Sequence, residues 1–207
     1  GTREADLDWR MLRTVYHAES PALRITMRAA DASAFPVYYG APVAAWGGAW
    51  LLRDDNNFAD AYRLTVTQAV TYGSVLALKR TFRRPRPYET VPGIRARKAQ
   101  FQPGGSERGS FAMPSGHASL AAAIAMSWSL SHPRWYVIAP GAVWASSVAL
   151  SRVWLGVHYP SDILAGTLLG AGIGVGIHLL GPVITPAFLE GDDGSAPPPM
   201  VNVQIRF

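Results

Sequence analysis

The 207-residue chain contains no cysteine, so disulfides take no part in its stability and its redox compartment cannot be read from thiols. It has no strand-rich run to compete with helix, and no cluster of carboxylates of the kind that gathers a metal. Its apolar runs stop at about 14 to 18 residues, at or below the about 20 that a bilayer-spanning helix needs. Mean hydropathy is only +0.09. Acidic side chains are outnumbered, 14 against 19 basic ones, which leaves a formal charge of +5. Such a balance is compatible with nucleic acid. However, nearly half of the 19 cations fall between Lys79 and Arg108. A local anion site explains that concentration more directly, and no nucleic-acid partner is expected.

What is present centres on Lys79 to Asp162. Three clusters stand out: Lys79…Arg86-Pro87, Pro114-Ser115-Gly116-His117, and Ser151-Arg152…His158…Asp162. Together they supply what a phosphate dianion requires. Lysine and arginine offer charge-assisted hydrogen bonds, and the planar guanidinium can make two at once. A histidine titrating near neutrality can attack phosphorus or pass a proton to a leaving oxygen. Asp162, four residues after His158, is spaced to hold that imidazole in one tautomer. Ser115 suits a helix N-cap, and the free amides of the following turn, with the helix dipole, form an anion site. Gly116 permits close backbone approach there. Three fixed cations can do the work of a metal ion, so neither metal nor other cofactor is expected.

These motifs, in this order and with these internal spacings, resemble the type 2 phosphatidic acid phosphatase superfamily. That superfamily also holds bacterial class A acid phosphatases and vanadium haloperoxidases. The resemblance implies a phosphatase in which Lys79, Arg86 and Arg152 bind phosphoryl oxygens, helped by Ser115 and the Gly116 amide. It implies His158, oriented by Asp162, as the nucleophile that becomes a phosphohistidine, and His117 as the acid that protonates the leaving alkoxide. The substrate expected is a phosphomonoester, with a lipid phosphate favoured by the segment His158-Tyr159-Pro160-Ser161-Asp162. A broad-specificity soluble periplasmic acid phosphatase, a vanadium haloperoxidase and a non-catalytic anion-binding protein stay open as alternatives.

The length suits a single domain over residues 1–207, with an amphipathic segment at 1–30 and an extended tail at 191–207. Gly1 to Asp8 is mostly polar and begins without methionine, which suggests a processed form that has lost a leader. Leu7, Met11, Leu12 and Val15 mark the apolar side of a short helix, with Asp8 the exception on that side. Ser20-Pro21 interrupts, and Ala22–Ala30 reads as a second short piece. Phe35–Leu52 reads as a buried helix, with Pro36 and Pro42 opposing helix in its first half. A further helix over Phe58–Leu78 delivers Lys79. The proline-rich stretch from Arg80 to Phe111 reads mainly as loop, either a rim over the site or a flexible surface segment. Arg83 and Arg84 within it can contact substrate or be solvated.

Helices are then expected from Ser115 to about Leu130, from Trp135 to about Leu150, and from Pro160 to about Leu180. Gly166, Gly170 and Gly174 recur every four residues on the last of these, which lets a neighbouring helix come close. His17 reads as a surface residue and His178 as a core one. Val201–Phe207 alternates enough for a strand or an extended arm. If successive helices run antiparallel, all three motifs collect at one end of an all-α bundle. Arg63 counts against membrane association, because it would be costly on a lipid-facing surface. The resemblance favours an exported enzyme, periplasmic or membrane-bound, with its site facing outward.

Overall fold

The structure is a computed structural model describing residues 3–52, 55–102, 105 and 110–189. It is an all-α bundle, with no strand among the described residues. In chain order the main helices are α1 (Arg3–His17), α2 (Pro21–Leu52), α3 (Asp55–Phe82) and the short α4 (Pro87–Thr90). They are followed by α5 (Gly116–Ser131), α6 (Trp135–Trp154), α7 (Pro160–Leu179) and the short α8 (Gly181–Ile184). The tail expected from residue 191, with its strand or arm over Val201–Phe207, lies outside the described residues.

Helix α5 is the centre of the bundle, packing on α2, α3, α6 and α7. Its Ala121 and Ile124 join Ala34, Leu64 and Val148 in the main core. Small residues dominate here, so the helix backbones approach closely. The tightest approach is to α7. A Cβ at Gly166 would come 2.6 Å from the Ser115 carbonyl, and one at Gly174 would come 3.1 Å from Met126 Cβ. At Gly172, on another side of the same helix, a Cβ would meet nothing within 4 Å. The four-residue period is therefore a packing stripe, as its spacing suggested.

Several expectations need correction. First, residues 21–52 form one helix rather than a short piece and a separate buried helix, and both Pro36 and Pro42 lie inside it. Proline cannot donate to the carbonyl four residues back. The Tyr38 carbonyl that Pro42 leaves open accepts instead from Gln68 Nε2, at 3.2 Å. A side chain on α3 thus satisfies the acceptor. Nor is this helix buried all round: Met27, Ala30, Ala34, Tyr38, Ala45 and Ala49 face inward, while Tyr39, Val43, Trp50, Leu51 and Leu52 are exposed.

Second, the stretch 80–111 is mainly loop among its described residues, as expected, but it is not a flexible surface segment. It begins inside α3, includes α4 and a 3-10 turn at Ala99–Phe101, and buries Val91, Ile94, Ala96 and Phe101. Burying one such aromatic contributes about 1.5–3 kcal/mol, so the described part of the segment is packed structure. Third, α1 packs through a face turned from the one predicted. Leu12 and Tyr16 are buried with Asp8 beside them, whereas Leu7 and Met11 are exposed. The lone carboxylate on the apolar side draws that face inward through its polar partners, described below. His178 is half-buried rather than a core residue.

α6 and α7 are each 20 residues long and apolar enough, by length and composition, to cross a membrane. Leu164 and Leu168 on α7 are 62% and 65% exposed. Arg63 is not the obstacle it looked in the sequence. Its Nε donates to Thr185 Oγ1 at 3.0 Å, and its guanidinium lies 3.8 Å from Asp60. The charge is turned into the bundle.

Candidate active site

The C-terminal ends of α3 and α6 and the N-terminal ends of α5 and α7 meet at one end of the bundle. Ser115, the N-cap of α5, accepts from the Ala118 amide through its hydroxyl. Its own N–H donates to the Asp162 carbonyl at 3.0 Å, tying the start of α5 to the start of α7. At Gly116 a Cβ would touch only Val75, at 3.4 Å, so the protein leaves space beside that amide. His117 follows, wedged edge-on against Phe35 and Tyr38, with ring centroids 5.2 and 5.9 Å away. The Tyr38 hydroxyl donates to the His117 carbonyl at 2.8 Å. His117 Nε2 is buried and has no hydrogen-bond partner among the described residues.

His158 lies in the turn Leu155–Tyr159 between α6 and α7 and is 2% exposed. Arg86 Nη1 sits 3.1 Å from its Nε2. A guanidinium can only donate, so Nε2 presents its lone pair and the proton of the neutral ring is on Nδ1. Nδ1 in turn lies 3.5 Å from Asp162 Oδ2. Burial lowers the pKa of His158 well below its ordinary value, and the charges of Arg86, Lys79 and Arg152 lower it further. The imidazole is therefore neutral near pH 7, with its lone pair facing cations.

Those cations are themselves held. Arg86 also donates to the Val157 carbonyl at 2.9 Å and to the Ser110 carbonyl at 2.8 Å, and its guanidinium stacks 4.5 Å from the Phe101 ring centroid. Lys79 Nζ donates to the Phe111 carbonyl. Arg152 is fully buried and donates to Asp31, a carboxylate on α2 that also pairs with Lys98 at 2.9 Å. Asp162 is the N3 residue of α7, where Oδ2 accepts the Tyr159 amide at 2.8 Å in a capping box. Its Oδ1 accepts from Arg84 Nη1 at 2.8 Å.

All eight residues singled out in the sequence thus gather at one end: Lys79, Arg86, Ser115, Gly116, His117, Arg152, His158 and Asp162. The arrangement can bind a phosphate and offer one imidazole lone pair to phosphorus, with a second imidazole nearby. Several participants were not foreseen. Asp31 and Lys98 carried no signal, because nothing near them in sequence repeats a motif. Asp8 had a faint one, as a carboxylate on the apolar side of an amphipathic helix. Arg83 and Arg84 were alike in sequence, yet only Arg84 enters the cluster. Arg83 is exposed, and its Nε donates to the Arg80 carbonyl.

A family model described as PAP2 superfamily matches residues 60–185. An undecaprenyl-diphosphatase of Sulfolobus acidocaldarius is 41% identical over 76 residues, covering 35% of this chain and 36% of that protein. A decaprenylphosphoryl-5-phosphoribose phosphatase of Mycobacterium tuberculosis is 32% identical over 114 residues, covering 54% of this chain and 56% of that protein. The chain thus spans about a third to about half the length of these curated relatives. The crystal structure of Aquifex aeolicus LpxE superposes with a TM-score of 0.67 at 22% identity, over 84% of this chain and 94% of that one. At that identity the likeness is one of fold.

Proposed function

The chain belongs to the PAP2 superfamily, and from that premise we propose that it is a metal-independent phosphatase acting on a lipid phosphate through a phosphohistidine at His158. The observation that carries this reading is the Arg86–His158–Asp162 line: Nε2 accepts at 3.1 Å on one side while Nδ1 faces a carboxylate at 3.5 Å on the other. This is a neutral imidazole with its lone pair turned toward the cations that would hold the phosphoryl group.

In the first step Arg86 Nη1 turns its N–H from His158 Nε2 to a phosphoryl oxygen, and the freed Nε2 lone pair forms a bond to phosphorus. The phosphorus–oxygen bond to the leaving group breaks, and its electron pair goes to that oxygen, which takes a proton from His117. Burial and the surrounding cations lower the pKa of that imidazole, so the bound phosphate dianion is what holds the proton there for transfer. In the second step His117 takes a proton from water, the water oxygen bonds to phosphorus, and the nitrogen–phosphorus pair returns to His158. Lys79, Arg86 and Arg152, with the Ser115 hydroxyl and the Gly116 amide, stabilise charge on the equatorial oxygens in both steps. Asp162 steadies Nδ1–H as positive charge develops on the ring. Hydrogen bonds of this kind often tighten only with substrate present, and 3.5 Å leaves room for that.

The lipid substrate class is supported by the two relatives, both named for polyprenyl-linked phosphates. It is supported as well by α6 and α7, whose exposed apolar sides suit hydrocarbon. We read the enzyme as membrane-bound with its site facing outward. The test is hydrolysis of a panel of prenyl monophosphate, prenyl diphosphate, phosphatidic acid and p-nitrophenyl phosphate, with and without EDTA. The expected result is turnover of a lipid phosphate, unchanged by EDTA and abolished in His158→Ala. A folded His158→Ala protein that keeps substantial activity, or loss in EDTA restored by magnesium, refutes the mechanism. Because the chain has no cysteine, Arg83→Cys beside the site gives a single label for topology. An impermeant maleimide should reach it in intact cells.

A further inference from the structure

Four groups from three parts of the chain converge behind the catalytic carboxylate. Arg84 Nη1 donates to Asp162 Oδ1 at 2.8 Å and to Ser161 Oγ at 2.6 Å. Its Nη2 donates to Asp8 Oδ2 at 2.7 Å. The Ser161 amide donates to Asp8 Oδ1 at 2.9 Å, and the Ser161 hydroxyl donates to Asp8 Oδ2 at 2.5 Å. The guanidinium plane lies 4.0 Å from the Tyr159 ring centroid. The fork of Arg84 is thus directed at two carboxylates, away from the phosphate site, and its flat face is fixed on a ring. Asp162 is fully buried, and a buried carboxylate needs such a partner to stay charged and in place.

We propose that Arg84 and Asp8 are positioning residues for the reaction: α1 supplies Asp8, Asp8 fixes Arg84, and Arg84 holds the Asp162 carboxylate against the imidazole of His158. This rests on the reading of His158 as nucleophile. It makes the N-terminal helix part of the active site through Asp8, which acts by way of Arg84. It also accounts for the polar residue on the apolar side of α1. A lysine cannot substitute, because one ammonium cannot span both carboxylates in the geometry of a planar fork.

The experiment compares Arg84→Gln, Asp8→Asn, Asp162→Asn and the two double variants with Asp162→Asn, in the full chain. Arg83→Gln, at the exposed neighbour, serves as control. The substrate is whichever lipid phosphate of the panel the wild type turns over. Arg84→Gln should lower kcat about 10- to 100-fold with KM little changed, the range carried by outer hydrogen-bond partners that orient histidines in metal sites. Asp8→Asn should lower it less, because Arg84 still reaches Asp162. In the Asp162→Asn background both losses should shrink toward none, since the group they act through is gone. A chemical shift of His158 Nδ1–H that moves in Arg84→Gln but not in Arg83→Gln marks the same path.

If Arg84→Gln fails to fold, the Asp8→Asn cycle decides alone. A folded Arg84→Gln or Asp8→Asn with wild-type kcat, or losses that persist undiminished beside Asp162→Asn, overturns the inference. An inactive wild type, or an active His158→Ala, instead overturns the reading it rests on.

Discussion

Replacing Gly166 by alanine tests how far catalysis depends on the contact between α5 and α7. The added Cβ would stand 2.6 Å from the Ser115 carbonyl and 3.0 Å from Ser119 Oγ. Ser119 Oγ can rotate, but the carbonyl is backbone and cannot. Ordinary contact begins at 3.4 Å, so the helices must part by about 0.8 Å at this level. Overpacking of this kind costs about 1–3 kcal/mol. The kinetic cost should be larger in proportion. Ser115 and Asp162 are joined across this contact by a 3.0 Å hydrogen bond, and one belongs to the anion site while the other faces His158. A shift near 1 Å between reacting groups costs about 100-fold in rate. Gly172→Ala is the control: it lies on the same helix, where a Cβ meets nothing within 4 Å. It should be neutral or stabilise by up to about 1 kcal/mol through lower chain entropy. Thermal unfolding in detergent and kcat on the lipid substrate measure both. Gly166→Ala with wild-type kcat, or Gly172→Ala equally damaging, refutes the reasoning.

Further outcomes follow from the site. Orthovanadate, which adopts five-coordinate geometry with an apical nitrogen, should inhibit competitively and bind more tightly than phosphate; Arg152→Ala should weaken vanadate binding and catalysis together, and vanadate no tighter than phosphate contradicts the geometry. Asp31 now shares Arg152 and Lys98, so Asp31→Asn should raise phosphate affinity about tenfold, the worth of one charged hydrogen bond. Added phosphate should also raise the Tm of that variant more than that of the wild type, and equal shifts in the two argue against competition for Arg152. The folded-state pKa of His158 lies below its unfolded value of 6.5. Above about 6.5 both states are neutral and stability is full; as pH falls below it the unfolded chain takes a proton that the folded chain refuses, and stability is lost. Tm should be flat from pH 8 to about 6.5 and then decline, less steeply in His158→Gln, and an identical decline in that variant assigns the effect elsewhere.

The sequence by itself determined the chemistry on offer and most of the helices. Motif residues lie a few positions apart, and local spacing survives folding: Ser115 is an N-cap because of its own backbone, and Asp162 reaches the Tyr159 amide because the two are three apart. The four-residue glycine period likewise announced a packing face. Only the tertiary structure decided what joins distant segments. It chose Arg84 over Arg83, placed Asp31 on Arg152, and put Asp8 behind Asp162 across 154 positions of chain. It carried α2 through Pro42, since the acceptor left open there is met by Gln68, 30 residues away. It also turned Arg63 inward to Asp60 and Thr185. Each of these is a side-chain partnership set by how helices dock, and no local preference encodes the docking. Burial makes such pairings obligatory for charges and carbonyls, but the identity of the partner appears only when the helices have met.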